Sequence, residues 1–176
     1  VHWPNLTSVL VPVLYAVVGG VATRLYMPER MTKDLDVVIA LPDAELVRKK
    51  RASGFVFVSE LNLIRGSTWR APNGQDIDVI DGEDVWWHEV ILSAQANRDA
   101  QGQPVLTLPL LVLMKYIAGQ AQDLADIDRL IGQTDDGTVA AIRQFFDRFL
   151  PDEHDDLSSF IALARLVHLS DHAPRK

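Results

Sequence analysis

A change of periodicity near the middle of the chain limits its folding more than any other feature. Up to about Ile80, short β-branched runs alternate with helical stretches, and after about Pro109 apolar residues recur only at three- and four-residue spacing. The first pattern suits a sheet with helices packed on it, and the second suits amphipathic helices. We therefore expect an α/β (α+β) chain, with a small mixed sheet and flanking helices over residues 1–108. A helical region over residues 109–176 would pack on it as one compact unit. Strands are predicted at 15–18, 34–40, 55–59, 62–65, 68–71 and 76–80. The Pro72-Asn73-Gly74 turn precedes the last of them. Helices are predicted at 21–26, from Pro42-Asp43 toward Ser53 with Gly54 as its C-cap, and at 110–119, 123–131, 139–150 and 157–169. Residues 132–137 and 151–156 are read as connections between the last three.

Composition narrows the chemistry. With 48% hydrophobic residues in a chain of 176 and no low-complexity tract, the chain can bury a core and is not intrinsically disordered. Its formal charge of −7 argues against indiscriminate binding to phosphate backbones, so a nucleic-acid partner would need a local patch. The absence of cysteine removes disulfides, thiolate nucleophiles and Cys-ligated metals. The longest apolar run, Val9 to Val18, is too short to span a bilayer and contains Pro12. No basic segment precedes it and no small-residue cleavage site follows. The expectation is a cytoplasmic protein with no membrane partner.

The residues that carry chemistry are acids and glycines. Asp34 and Asp36 flank Leu35 in a predicted strand, so both carboxylates project to one face while Leu35 and Val37 turn inward. Like charges held this close are tolerable around a divalent cation. A second Asp-x-Asp follows at Asp76 and Asp78, and if the two strands are neighbours, three or four carboxylates converge. Oxygen-only ligands suit Mg²⁺ or Mn²⁺ rather than zinc. Upstream, Gly19-Gly20 ends a strand and opens a helix, where a backbone without Cβ atoms and with free N–H groups can accept a phosphate.

Val18-Gly19-Gly20, thirteen intervening residues and Asp34-Leu35-Asp36-Val37 resemble the signature of the DNA polymerase β-type nucleotidyltransferases. In that family the third carboxylate sits on a later strand between apolar neighbours, and Asp78 in Ile-Asp-Val-Ile matches better than Asp76. The resemblance implies a sheet of the nucleotidyltransferase type and two-ion catalysis with Asp34, Asp36 and Asp78 as metal-binding and catalytic residues. It also implies a nucleoside triphosphate such as ATP on Gly19 and Gly20. Arg24, Arg30 and Lys33 sit between the glycines and the aspartates, and of these Lys33 or Arg30 is expected to meet the phosphates. Further on, Leu113-Met114-Lys115 and Asp123-Leu124-Ala125-Asp126-Ile127 resemble the bacterial toxin and abortive-infection nucleotidyltransferases (AbiEii/MenT-like). That implies nucleotide binding by Lys115, Asp123 and Asp126. On one continuous helix Lys115, Gly119, Gln122 and Asp126 would share a face. The basic residue that the subgroup carries just before the first Asp is replaced here by Gln120-Ala121-Gln122.

The implied activity is transfer of a nucleoside monophosphate from a triphosphate to an acceptor hydroxyl, with release of pyrophosphate. The acceptor would be an RNA end such as the tRNA 3′ end, or a protein, in a toxin–antitoxin or defence setting with a cognate antitoxin. The alternatives are an aminoglycoside-type small-molecule nucleotidyltransferase and a non-catalytic binding module or antitoxin of the same fold. Arg48-Lys49-Lys50-Arg51 is read as a solvated helix face, and Trp69, Trp86 and Trp87 as core. His168 and His172 have helical spacing but are not read as a metal pair.

Overall fold

The computed structural model describes residues 3–49, 54–84 and 86–171, and the chain divides into two compact units, Val1–Thr107 and Leu108–Lys176. The first unit is built on the β-branched runs: β1 (Tyr15–Val18), β2 (Leu35–Ala40), β3 (Val56–Glu60), β4 (Gly66–Arg70) and β5 (Asp76–Gly82). They form one sheet in the order β1-β2-β5-β4-β3. The β2–β5 pair is parallel and the other three pairs are antiparallel, so the sheet is mixed, as expected. The helices of this unit are α1 (Thr7–Leu10), α2 (Gly19–Tyr26), α3 (Ala44–Lys49, entered through a 3₁₀ turn at Leu41–Asp43) and α4 (Trp87–Ala94).

Alternation sorts the two faces of the sheet. Leu35, Val37, Ile77, Val79 and Trp69 are buried, and Trp69, Ile77 and Val79 meet Leu6, Val9, Leu10 and Val47. On the same face Asp81, 4% exposed, is neutralised by Arg48 at 2.6 Å. Arg48 also reaches Glu60, and Lys49 pairs with Glu45, so both described members of the basic run are engaged by acids. Lys50 and Arg51 lie outside the described residues, as does the end of that helix toward Ser53. On the other side α2 and α4 pack on β1 and β2. The outer edge of β1 is closed by an extended segment: Val17 N–H donates to Pro104 O at 2.7 Å, and Leu106 N–H donates to Val17 O at 3.0 Å.

Two sequence expectations fail here for local reasons. Residues 62–65 form no strand; they are the connection between β3 and β4, and Leu63 is 97% exposed. The apolar residues Leu63 and Ile64 imitate a half-buried strand although both are exposed. Neither α1 nor α4 was expected, because α1 has only four residues and α4 opens on Trp87 with no side-chain cap ahead of it. Trp69 and Trp86 are buried, as expected of core residues, whereas Trp87 is only half-buried and stacks on Trp86 at 4.1 Å; Trp69 packs edge-on against Phe57 at 5.7 Å.

The second unit holds α5 (Leu108–Ala118), α6 (Ala121–Gln133), α7 (Asp136–Phe149) and α8 (His154–Asp171). The connections are shorter than the sequence suggested. Asp135 caps α7 by accepting from Thr138 N–H at 2.8 Å, and a 3₁₀ turn at Pro151–Glu153 leads directly into α8. His168 packs against Gly132, while His172 lies outside the described residues. No helix among the described residues is long and apolar enough to cross a membrane.

Tyr116 gives this unit a titratable marker. Its ring packs on Phe146, and its hydroxyl donates to Glu153 Oε2 at 2.7 Å. That hydrogen bond to a carboxylate, reinforced by partial burial, pushes the phenol up to about 12. The folded-state value is raised above the ordinary value of about 10, so the stabilisation is complete below that value. It disappears as the pH climbs through about 12. Ultraviolet titration should show a late-ionising component from Tyr116, and Tyr116→Phe should remove that component. Three tyrosines that all titrate near the ordinary value would contradict the bond.

Candidate active site

The site is assembled where β1 runs into α2. Val18, the last residue of β1, is paired with Asp36 on β2, and Asp36 is paired with Asp78 on β5. Residues in direct register project to the same face, so the two carboxylates stand side by side, both half-buried. Gly19 takes a left-handed conformation at φ 60°. A Cβ placed there would overlap the Asp36 carboxylate. At Gly20 a Cβ would come within 2.6 Å of Thr32 Oγ1. The diglycine is thus required by two close approaches, one of them to a carboxylate from the next strand.

The remaining expected residues divide clearly. Lys33 and Asp34 lie in the segment just before β2 and are exposed, and Thr32 Oγ1 donates to Asp34 O at 3.3 Å. Asp76 is engaged outside the pair. Arg70 grips it with two hydrogen bonds, at 2.8 and 3.0 Å, and holds its carboxyl below the usual carboxylate range. Among the described residues no three histidines or acids come together in a group able to hold a metal. The convergence is a pair, Asp36 with Asp78, rather than the three or four carboxylates expected.

The pair fits a hard cation on two observations: two carboxylates in register that offer oxygen donors, and a glycine backbone that one of them approaches closely. Mg²⁺ is ordinarily held by one or two carboxylates, with waters and substrate phosphates completing its shell.

Lys115, Asp123 and Asp126 are brought together in the second unit. Gly119, at φ 63°, breaks the helix between α5 and α6, so these residues meet across a helix pair and not along one helix face. Lys115 Nζ donates to Asp123 Oδ1 and to Asp126 Oδ2, both at 2.8 Å, and Gln122 Nε2 donates to Asp126 Oδ1 at 2.9 Å. Lys115 is 3% and Asp126 1% exposed. In this geometry the lysine neutralises the two aspartates of its own unit.

Thr68 was not anticipated. It lies opposite Asp78 on β4, and its hydroxyl donates to Asp78 Oδ1 at 2.6 Å. The signal was available in the sequence. Counting outward from Asn73 in the Pro-Asn-Gly turn pairs Arg70 with Asp76 and Thr68 with Asp78.

Gly19→Ala is expected to damage this site from the backbone outward. A left-handed alanine costs about 1–2 kcal/mol, and its methyl group must displace the Asp36 carboxylate. Thermal unfolding checks the cost, and a Gly19→Ala variant as stable as the unaltered chain would contradict the close approach.

No protein-family model matches the sequence, and no curated protein matches it. Among solved structures the chain is similar to a candidate nucleotidyltransferase from H. pylori, at 14% identity and TM-score 0.47, over 94% of this chain and 91% of that one. It is also similar to the antibiotic-resistance factor ANT(2'')-Ia, at 14% identity and TM-score 0.39, over 91% of this chain and 87% of that one.

Proposed function

We propose that the chain is a metal-dependent nucleotidyltransferase that moves a nucleoside monophosphate from a nucleoside triphosphate to an acceptor hydroxyl and releases pyrophosphate. The observation that carries the reading is the contact of Gly19 with Asp36, in register with Asp78. It places a carboxylate pair against a glycine backbone at the start of a helix. The N–H groups opening α2 would receive the triphosphate, as helix starts receive phosphate. Lys33 in the segment before β2 would add a positive charge to the phosphate tail, with Asp34 at the mouth of the site. Asp36 and Asp78 would hold Mg²⁺ or Mn²⁺, which neutralises charge on the triphosphate. Asp78 would accept the proton of the acceptor hydroxyl. The bond from acceptor oxygen to the α-phosphorus forms, the bond from that phosphorus to the bridging oxygen breaks, and pyrophosphate leaves with the electron pair.

The sequence resemblance favours an RNA 3′ end such as that of tRNA, or a protein hydroxyl, as the acceptor, in a bacterial toxin–antitoxin or defence setting. The closed geometry of Lys115 with Asp123 and Asp126 supports a structural role for those three residues rather than nucleotide binding. Intact-mass analysis after incubation with each of the four triphosphates tests the activity and its acceptor together, using total tRNA, a candidate antitoxin or an aminoglycoside. A mass gain of one nucleotide on tRNA or protein is expected. A gain on the aminoglycoside would replace the acceptor assignment, and no gain on any acceptor would overturn the activity.

A further inference from the structure

We infer that Thr68 is a positioning residue that aims the Asp78 carboxylate without cancelling its charge. This rests on the nucleotidyltransferase reading above and adds a role that the acidic motif does not contain. The β4–β5 hairpin supplies its own comparison. It carries two aspartates two residues apart, each opposite a polar residue of β4. Asp76 faces Arg70, which binds both carboxylate oxygens and neutralises them. Asp78 faces Thr68, a neutral donor, which occupies Oδ1 alone at 2.6 Å. A single short hydrogen bond from a hydroxyl to one oxygen fixes the plane of a carboxylate while preserving its negative charge. The aspartate with the neutral partner is also the one in register with Asp36 at the glycine bend.

Thr68 is itself held still by its neighbours. Trp69 Nε1 donates to Ser67 Oγ at 2.9 Å, and the Trp69 ring packs on Phe57, so the residues on both sides of Thr68 are anchored on the opposite face. Its hydroxyl is therefore presented from a fixed strand, as a supporting partner to a ligand must be.

The test uses the full chain and Mn²⁺ as probe, with binding followed by the loss of the free-ion electron paramagnetic resonance signal. Thr68→Val removes the hydroxyl and keeps the shape of the side chain; it is expected to weaken Mn²⁺ binding about 10- to 100-fold. Thr68→Ser, which restores the donor, is expected to bind as the unaltered chain does. In the transfer assay Thr68→Val should lower kcat with little change in KM for the triphosphate. If Thr68→Val does not fold, Thr68→Ala carries the comparison. The inference is overturned if Thr68→Val binds Mn²⁺ normally while Asp78→Asn does not. It is equally overturned if Thr68→Ser fails to restore binding. If Asp78→Asn and Asp36→Asn both bind Mn²⁺ like the unaltered chain, the metal reading of the site itself fails, and the role of Thr68 with it.

Discussion

Asp36→Asn is expected to lower transfer by roughly a thousandfold, since several kcal/mol of charge stabilisation at about 1.4 kcal/mol per decade disappears with the carboxylate. Its effect on folding should be small by comparison, because asparagine keeps the shape of the half-buried Asp36 side chain. A residue kept only for structure loses stability when it is changed; a residue kept for chemistry loses turnover instead. Turnover and thermal unfolding measured on one preparation distinguish the two cases. An active Asp36→Asn, or an inactive one that is also strongly destabilised, would contradict the assignment.

Lys115→Met should show the reverse pattern. It leaves Asp126, 1% exposed, without its cation. Removing one partner of a buried ion pair typically costs about 3–5 kcal/mol because the remaining charge stays buried. The cost should fall when Asp126→Leu is added, since the more deeply buried charge goes with its lysine and only Asp123, at 17% exposure, keeps its own. Urea unfolding of the two single variants and the double variant measures this coupling directly. If Lys115→Met instead unfolds like the unaltered chain and loses triphosphate binding, the lysine serves the nucleotide, as the resemblance first implied.

The parts of the fold that could be read from sequence were those with a local cause. Strands β1, β2 and β5 show as β-branched runs between glycines, prolines and acids, and α2 is announced by Gly19-Gly20 and ended before Pro28. What was not legible depended on distant partners or on exposure. Residues 62–65 read like a strand but lie exposed in a connection. The parallel pairing of β2 with β5 joins residues some forty positions apart, and only that pairing places Asp36 beside Asp78. Asp76 and Asp78 look equivalent in the sequence. They separate once the hairpin register gives one an arginine and the other a threonine. Lys115 and Asp126 were placed together for the wrong reason. They meet because Gly119 turns the chain back, not because they share a helical face.

The central claim is that Asp36, Asp78 and the glycine bend form one site for a metal-bound triphosphate. The most direct measurement is a crystal structure of the full chain grown with Mn²⁺ and a non-hydrolysable triphosphate, with anomalous scattering used to locate the metal. An anomalous peak is expected between the carboxylates of Asp36 and Asp78, with phosphate density at the N–H groups of Gly19 and Gly20. A peak elsewhere on the chain, or a triphosphate bound away from those glycines, would contradict it.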